Sequence, residues 1–258
     1  MINNKHKRII VENISKKFEI GFIKNEGALS KAVSFILRRN DKKEIQVLDS
    51  VSFDVSAGEN LGIIGRNGSG KSTLLRIVAG IYESDFGQIK TDGKLVYLNG
   101  LGQGLKDRLT MRENIYLVGS IMGLSQKDIR KRFEEIVEFS GLKEFLDTKV
   151  YQFSSGMITR LSFSITVYCL KHQNPDILLL DEVFGSGGDI DFQNKAILKM
   201  EELVKGGATV LLVSHSLDIV KKYCDRTVFL DHGRIVEVGD SESVINSYLG
   251  RFDSLKKI

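Results

Sequence analysis

The apolar positions of the chain follow two rhythms. Residues 8–18 and 46–55 carry alternating or β-branched apolar side chains and predict two strands. Residues 60–64 form a short apolar run that stops at a glycine, the pattern of a buried strand. From about 110 to 172 the spacing turns helical, and Ile115–Leu124, Lys127–Leu142 and Ser155–Lys171 predict three helices. Two continuous apolar runs follow, Asp176–Leu180 and Ala208–Val213, separated by a helix expected around 190–205. Residues 226–237 read as a hairpin around Asp231–Gly233. Fully apolar strands alternating with helices predict an α/β fold with a parallel sheet covered on both faces. No internal repeat or low-complexity tract interrupts the pattern.

Composition changes this picture little. The chain has 258 residues, 42% of them hydrophobic and 27% charged, which is ordinary globular composition and excludes a disordered or collagen-like chain. No apolar run reaches the roughly 18 residues that cross a bilayer. Residues 1–8 are basic and polar with no apolar stretch after them, so no secretory leader is expected. Cys169 and Cys224 match no metal or disulfide spacing and are expected as small core residues in a reducing compartment. The net charge of +4 is spread through mixed-sign segments, so no nucleic-acid partner is expected. Residues 24–43 differ, with six basic side chains against two acidic ones. Within them Ala28–Arg39 has helical apolar spacing. This basic amphipathic insertion could face a membrane or membrane subunit, or lie with its apolar face on the body.

The strongest chemical signal is residues 65–73, Gly-Arg-Asn-Gly-Ser-Gly-Lys-Ser-Thr. Gly65, Gly70, Lys71 and Ser72 complete the Gly-x-x-x-x-Gly-Lys-Ser/Thr pattern between a predicted strand and a predicted helix, the context it needs. Glycines at 65, 68 and 70 let backbone N–H groups close on phosphate oxygens, and the helix start adds a partial positive charge. Asn67, Ser69 and Thr73 belong to the same cradle. Lys71 can reach the β and γ phosphates of ATP, and the Ser72 hydroxyl can ligate Mg²⁺. Residues 177–182, Ile-Leu-Leu-Leu-Asp-Glu, end an apolar strand in two carboxylates, at the strand end where open α/β sheets bind ligands. Asp181 would hold Mg²⁺ through water, and Glu182 would orient or deprotonate the attacking water.

Three further features narrow the class. Phe153–Met157 (Phe-Ser-Ser-Gly-Met) opens a helix, His215 ends a strand in Val-Ser-His-Ser, and Phe18 follows the first strand. With these in this order the chain resembles the ATP-binding-cassette (ABC) ATPases over nearly its whole length. The resemblance implies a P-loop NTPase (RecA-like) core with an antiparallel β subdomain and an inserted helical subdomain. Residues 1–108 and 174–258 would form the core and 109–173 the helical part. It also implies roles. Ser154 and the Gly156 backbone would bind the γ-phosphate held by a second copy of the chain, so that two chains sandwich two ATP molecules. His215 would touch the same phosphate, and Phe18 would stack on adenine. Gln103, in Gly-Leu-Gly-Gln-Gly, lies near the place of the family's metal-side glutamine.

Ser-Ser-Gly-Met before Arg160-Leu161, Thr110-x-Arg112-Glu113-Asn114-Ile115, Gly-Ile-Ile-Gly-Arg-Asn-Gly at 62–68 and Cys224-Asp225-Arg226 are similar to the exporters of O-antigen, capsule and teichoic acid. That likeness implies a peripheral subunit on the cytoplasmic face of the inner membrane. Two copies would dock two copies of a separate transmembrane permease that moves a lipid-linked polysaccharide. The carbohydrate-binding domain that some such proteins carry is expected to be absent. The stretch Val183–Asp189 has one residue more than the family pattern, and Asp189 is the candidate for its conserved aspartate. An ABC ATPase for another transported substrate, or a non-transport ABC ATPase, stays open on these residues. His6, His172 and His232 have no motif around them and are expected on the surface.

Overall fold

The computed structural model describes residues 6–20, 43–99, 104–170, 175–183 and 189–255. A six-stranded sheet has the order β5 (Leu95–Asn99), β6 (Ile177–Asp181), β7 (Thr209–Val213), β3 (Asn60–Ile64), β8 (Arg226–Asp231), β9 (Arg234–Asp240). The first five are parallel, and β9 returns antiparallel along β8 as the edge of the sheet. The β8–β9 turn uses His232 and Gly233, both at positive φ, the conformation that matches the twist of a tight hairpin. A second, antiparallel sheet has the order β2 (Lys43–Ser56), β1 (Lys7–Ile20), β4 (Phe86–Thr91).

The apolar strands are buried on both sides because their side chains divide between two cores. Leu178 and Leu180 of β6 and Val210 and Leu212 of β7 face one side, with Phe163, Phe192, Val220 and Phe229. Ile177, Leu179, Leu211 and Val213 face the other. On that second side lies helix α1 (Lys71–Val78), whose Leu74, Leu75, Ile77 and Val78 are buried. The same core takes in Ile9, Val11, Leu48, Val51 and Val55 of the antiparallel sheet, so α1 is packed between the two sheets. The helix that follows the glycine loop is therefore rigidly seated.

Helices α2 (Met111–Ile121), α3 (Gln126–Ser140) and α4 (Ser155–Tyr168) form a lobe with its own core around Met111, Ile115, Ile129, Ile136, Leu161 and Ile165. Two helices tie this lobe to the sheet: α4 turns Leu161 and Ile165 into the lobe and Phe163 and Val167 onto the sheet, and Phe139 of α3 lies against Phe163 and Phe192. Helices α5 (Ile190–Lys205), α6 (Leu217–Tyr223) and α7 (Ser241–Leu255) complete the sheet's outer layer, with Val244 of α7 fully buried.

The expected strands and helices are present, with shifted ends. β1 and β2 run longer than 8–18 and 46–55, because register shifts keep the ladder going, with Asn13 and Ser50 at positive φ. Strands β4 and β5 and helices α6 and α7 were not expected. β4 is almost wholly exposed, so it lacks the alternation that would announce it. Cys169 and Cys224 are both buried and unpaired by disulfide, and burial pushes their thiols up to about 11 and about 12. The amphipathic stretch 28–39 lies outside the described residues.

The segment Thr110–Ile115 does structural work. Thr110 caps α2 and exchanges hydrogen bonds with Glu113 in a capping box. Asn114 is fully buried. It accepts from the Lys106 N–H at 2.7 Å and donates to the carbonyls of Lys106, Leu109 and Thr110. Asn114→Leu leaves that backbone without partners, and should cost about 2 kcal/mol of stability. Urea unfolding followed by far-UV circular dichroism checks this, and an unchanged midpoint would contradict it.

Candidate nucleotide site

The glycine loop is shaped by close backbone approach. A Cβ on Gly65 would stand 2.0 Å from the Leu230 carbonyl oxygen. Gly70, at φ 105°, caps α1 in the left-handed region, and a Cβ there would meet the Val47 oxygen at 2.8 Å. Because Gly70 has no side chain to cap with, the first-turn amides of α1 face outward for an external acceptor. Thr73 is half-buried in that turn, and Asn67 and Gly68 are exposed at the loop's rim. Ser69 is buried with its hydroxyl oxygen unpartnered, a polar atom left over inside the cradle. Lys71 is 6% exposed and donates to the carbonyls of Gly65 and Arg66, both at 2.9 Å. Burial lowers its pKa, while the carboxylates of Glu182 and Asp181 oppose that shift.

Asp181 ends β6 almost fully buried, with both oxygens engaged. Oδ1 accepts from the Ser72 hydroxyl at 2.9 Å, and Oδ2 accepts from the Tyr97 hydroxyl at 3.0 Å. This set of hard oxygen donors beside a phosphate cradle fits Mg²⁺. The next residue leaves the strand direction. Glu182 has φ 55°, and its N–H donates to the Val213 carbonyl at 3.0 Å. Its carboxylate turns toward the end of β7, where Oε2 accepts from the His215 N–H at 3.3 Å and Oε1 lies 3.1 Å from His215 Nε2. Burial raises the Glu182 pKa, against the pull of His215 and Lys71. One chain thus brings together Lys71, Ser72, Asp181, Glu182 and His215.

Other expected site residues stand apart from this cluster. Phe18 is half-buried on β1, edge-on to Tyr82 at 5.7 Å between ring centroids, with Lys16 Nζ 5.5 Å from its ring centre. Ser154 caps α4, its hydroxyl accepting from the Met157 N–H at 3.3 Å, and a Cβ on Gly156 would meet only that hydroxyl within 4 Å. Among the described residues no hydrogen bond or ion pair joins Ser154 or Gly156 to the glycine loop. Asp189 caps α5 through the Phe192 N–H at 2.8 Å and pairs with Arg160 of α4 at 3.1 Å. Gln103 and His172 lie outside the described residues. His6 and His232 are exposed, His6 pairing with Asp92 at 2.6 Å.

Tyr97 has no motif to announce it, and the sequence marks Arg160 only as part of the exporter-like run after Ser-Ser-Gly-Met. Tyr97 is a single tyrosine in a five-residue apolar strand, yet it reaches Asp181. Its own hydroxyl is pushed up to about 12 by burial and by that carboxylate. Arg160 ties the end of α3 to the start of α5, donating to the Ser140 carbonyl at 2.8 Å and to Asp189.

A phosphate cradle at the head of α1, an acid pair closing a neighbouring strand and a separate helical lobe define a P-loop nucleoside triphosphatase. Comparison with known proteins narrows the class. The family described as "ABC transporter" matches residues 48–185. The O-antigen export system ATP-binding protein RfbB of Klebsiella pneumoniae is 43% identical over 201 residues, 78% of this chain and 80% of that one. The teichoic acids export ATP-binding protein TagH of Lactococcus lactis subsp. lactis is 38% identical over 248 residues, 96% of this chain but only 52% of that protein. The solved structure of an ATP-binding subunit of an ABC transporter superposes with TM-score 0.66 at 25% identity, over 93% of this chain and 92% of that one. A dimeric ATP-binding cassette in a post-hydrolysis state with ADP and phosphate shares the fold at TM-score 0.66 and 22% identity, over 90% of this chain and 98% of that one. The chain belongs to the ABC transporter family, as one of its ATP-binding, ATP-hydrolysing subunits.

The raised Glu182 pKa has a measurable consequence. A carboxylate whose pKa rises on folding opposes folding when ionised. That cost is full above the raised pKa and vanishes below the ordinary value of 4.5, where both states are protonated. Glu182→Gln should therefore raise the Tm of the nucleotide-free protein at pH 7, with a gain that shrinks as the pH falls toward 4.5. A lower Tm at pH 7 would contradict the assigned shift.

Proposed function

We propose that this subunit powers export of a lipid-linked surface polysaccharide of the O-antigen, capsule or teichoic-acid kind, working as an ATP-sandwiching homodimer on a separate membrane permease. The observation that carries the motor reading is the split between its two phosphate-binding features. Lys71, Ser72, Asp181, Glu182 and His215 converge within one chain, while Ser154 and Gly156 open a helix elsewhere with no bond to that cluster. A second copy facing the first in antiparallel fashion supplies the missing cradle. The polysaccharide substrate is supported by the 43% and 38% identities to proteins named for O-antigen and teichoic acid export.

In this reading residues 1–108 and 174–258 form the nucleotide-binding core and 109–173 the helical part. Phe18 packs on the adenine ring. The backbone of Gly65, Asn67, Gly68, Ser69, Gly70 and Thr73 holds the phosphates. Lys71 exchanges its two loop carbonyls for phosphate oxygens. Ser72 and Asp181 would hold Mg²⁺, with Gln103 completing the set, and the ion supplies charge neutralisation at the phosphates. Glu182 orients the attacking water and accepts its proton, a task its raised pKa suits. His215 holds that carboxylate through its backbone and ring. No described helix is long and apolar enough to cross a membrane, which suits a peripheral place on the permease's cytoplasmic side.

Glu182→Gln should bind ATP as the parent does but hydrolyse it roughly 10²–10⁴-fold more slowly. It should also accumulate as an ATP-bound dimer on size exclusion. Parental turnover would remove Glu182 from its role. In the native cell the same variant should deplete surface polysaccharide while lipid-linked polymer builds up inside. An unchanged surface, with hydrolysis shown to be lost, would overturn the polysaccharide assignment. Ser154→Arg should leave nucleotide binding by the monomer intact yet block hydrolysis, and loss of monomer binding would contradict the shared-site geometry.

A further inference from the structure

Ser72 and Arg76 stand one turn apart on α1, so they present to the same face. Opposite them, Tyr97 of β5 lies beside Leu179 of β6, two residues before Asp181. Leu179 and Tyr97 belong to the core on the α1 side of the sheet. The period-two alternation of β6 turns Asp181 to that side as well. Three side chains meet there. Ser72 donates to Asp181 Oδ1, and Tyr97 donates to Asp181 Oδ2. Arg76 donates to the Tyr82 hydroxyl at 3.3 Å, and the Tyr82 ring meets Phe18 edge-on.

We propose that Tyr97 is a positioning residue for the metal-binding carboxylate: its hydroxyl holds Asp181 Oδ2 and leaves Oδ1 turned toward Ser72 and the cation. The proposal rests on the reading of Ser72 and Asp181 as the Mg²⁺ site. Asp181 is 2% exposed, so water does not replace a lost donor freely, and an unheld carboxylate can rotate about its last torsion. Groups that orient metal ligands in this way change metal affinity when removed, without touching the ion themselves.

The test uses the whole chain, Mn²⁺ as the probe ion and a non-hydrolysable ATP analogue, with free Mn²⁺ read by electron paramagnetic resonance. Tyr97→Phe should bind Mn²⁺ about 10-fold more weakly than the parent. Its affinity for the analogue in EDTA and its far-UV dichroism should stay at parental values, which separates loss of orientation from loss of fold. Asp181→Asn serves as the reference and should abolish specific Mn²⁺ uptake. If Asp181→Asn loses the ion while Tyr97→Phe binds it like the parent, the Tyr97 proposal is overturned alone. If both bind like the parent, the metal-site reading beneath it falls.

Discussion

A carboxylate with almost no access to water sets the terms for this molecule. Asp181 sits at the end of a strand buried on both faces, and an ionised group there is tolerated only if donors surround it. The donors come from two directions: Ser72 from the helix that opens the glycine loop, and Tyr97 from the neighbouring strand. Satisfying one charge therefore fixes the distance between α1 and the β5–β6 pair. The packing of α1 between two sheets makes this arrangement stiff, since its four buried aliphatic residues cannot shift without opening the core they share with both.

The helical lobe is attached on different terms. Its core is separate from those of the sheet, and α4 has one face in each, joined on the sheet side by Phe139 of α3. Arg160 adds a further tie on α4, bridging the end of α3 and the cap of α5. The start of α4 carries Ser154, and the start of α5 follows the residues that continue from Glu182.

Most of this layout was legible from the residues because the relevant signals are local. The glycine loop, the acid pair and the His215 strand end are short runs whose chemistry demands particular residue types in a particular order. The continuous apolar runs of β6 and β7 announce a sheet covered on both faces. What escaped depends on contacts far apart in sequence. Tyr97 meets Asp181 across 84 residues, and nothing in Leu-Val-Tyr-Leu-Asn marks that tyrosine. β4 is exposed almost throughout and exists because β1 needs a partner, so no alternation betrays it. Asn114 was legible as part of a family-like run, while its job as a buried bracket for the backbone before α2 emerges only in three dimensions.

Lys71 and the glycine loop hold each other. Its ammonium rests on two carbonyls of the very loop it serves, so side chain and backbone form one closed unit. A change at Lys71 is therefore also a change in the scaffolding of the turn. A loss on substituting it mixes a missing cation with a loosened loop, and the two cannot be read from one variant.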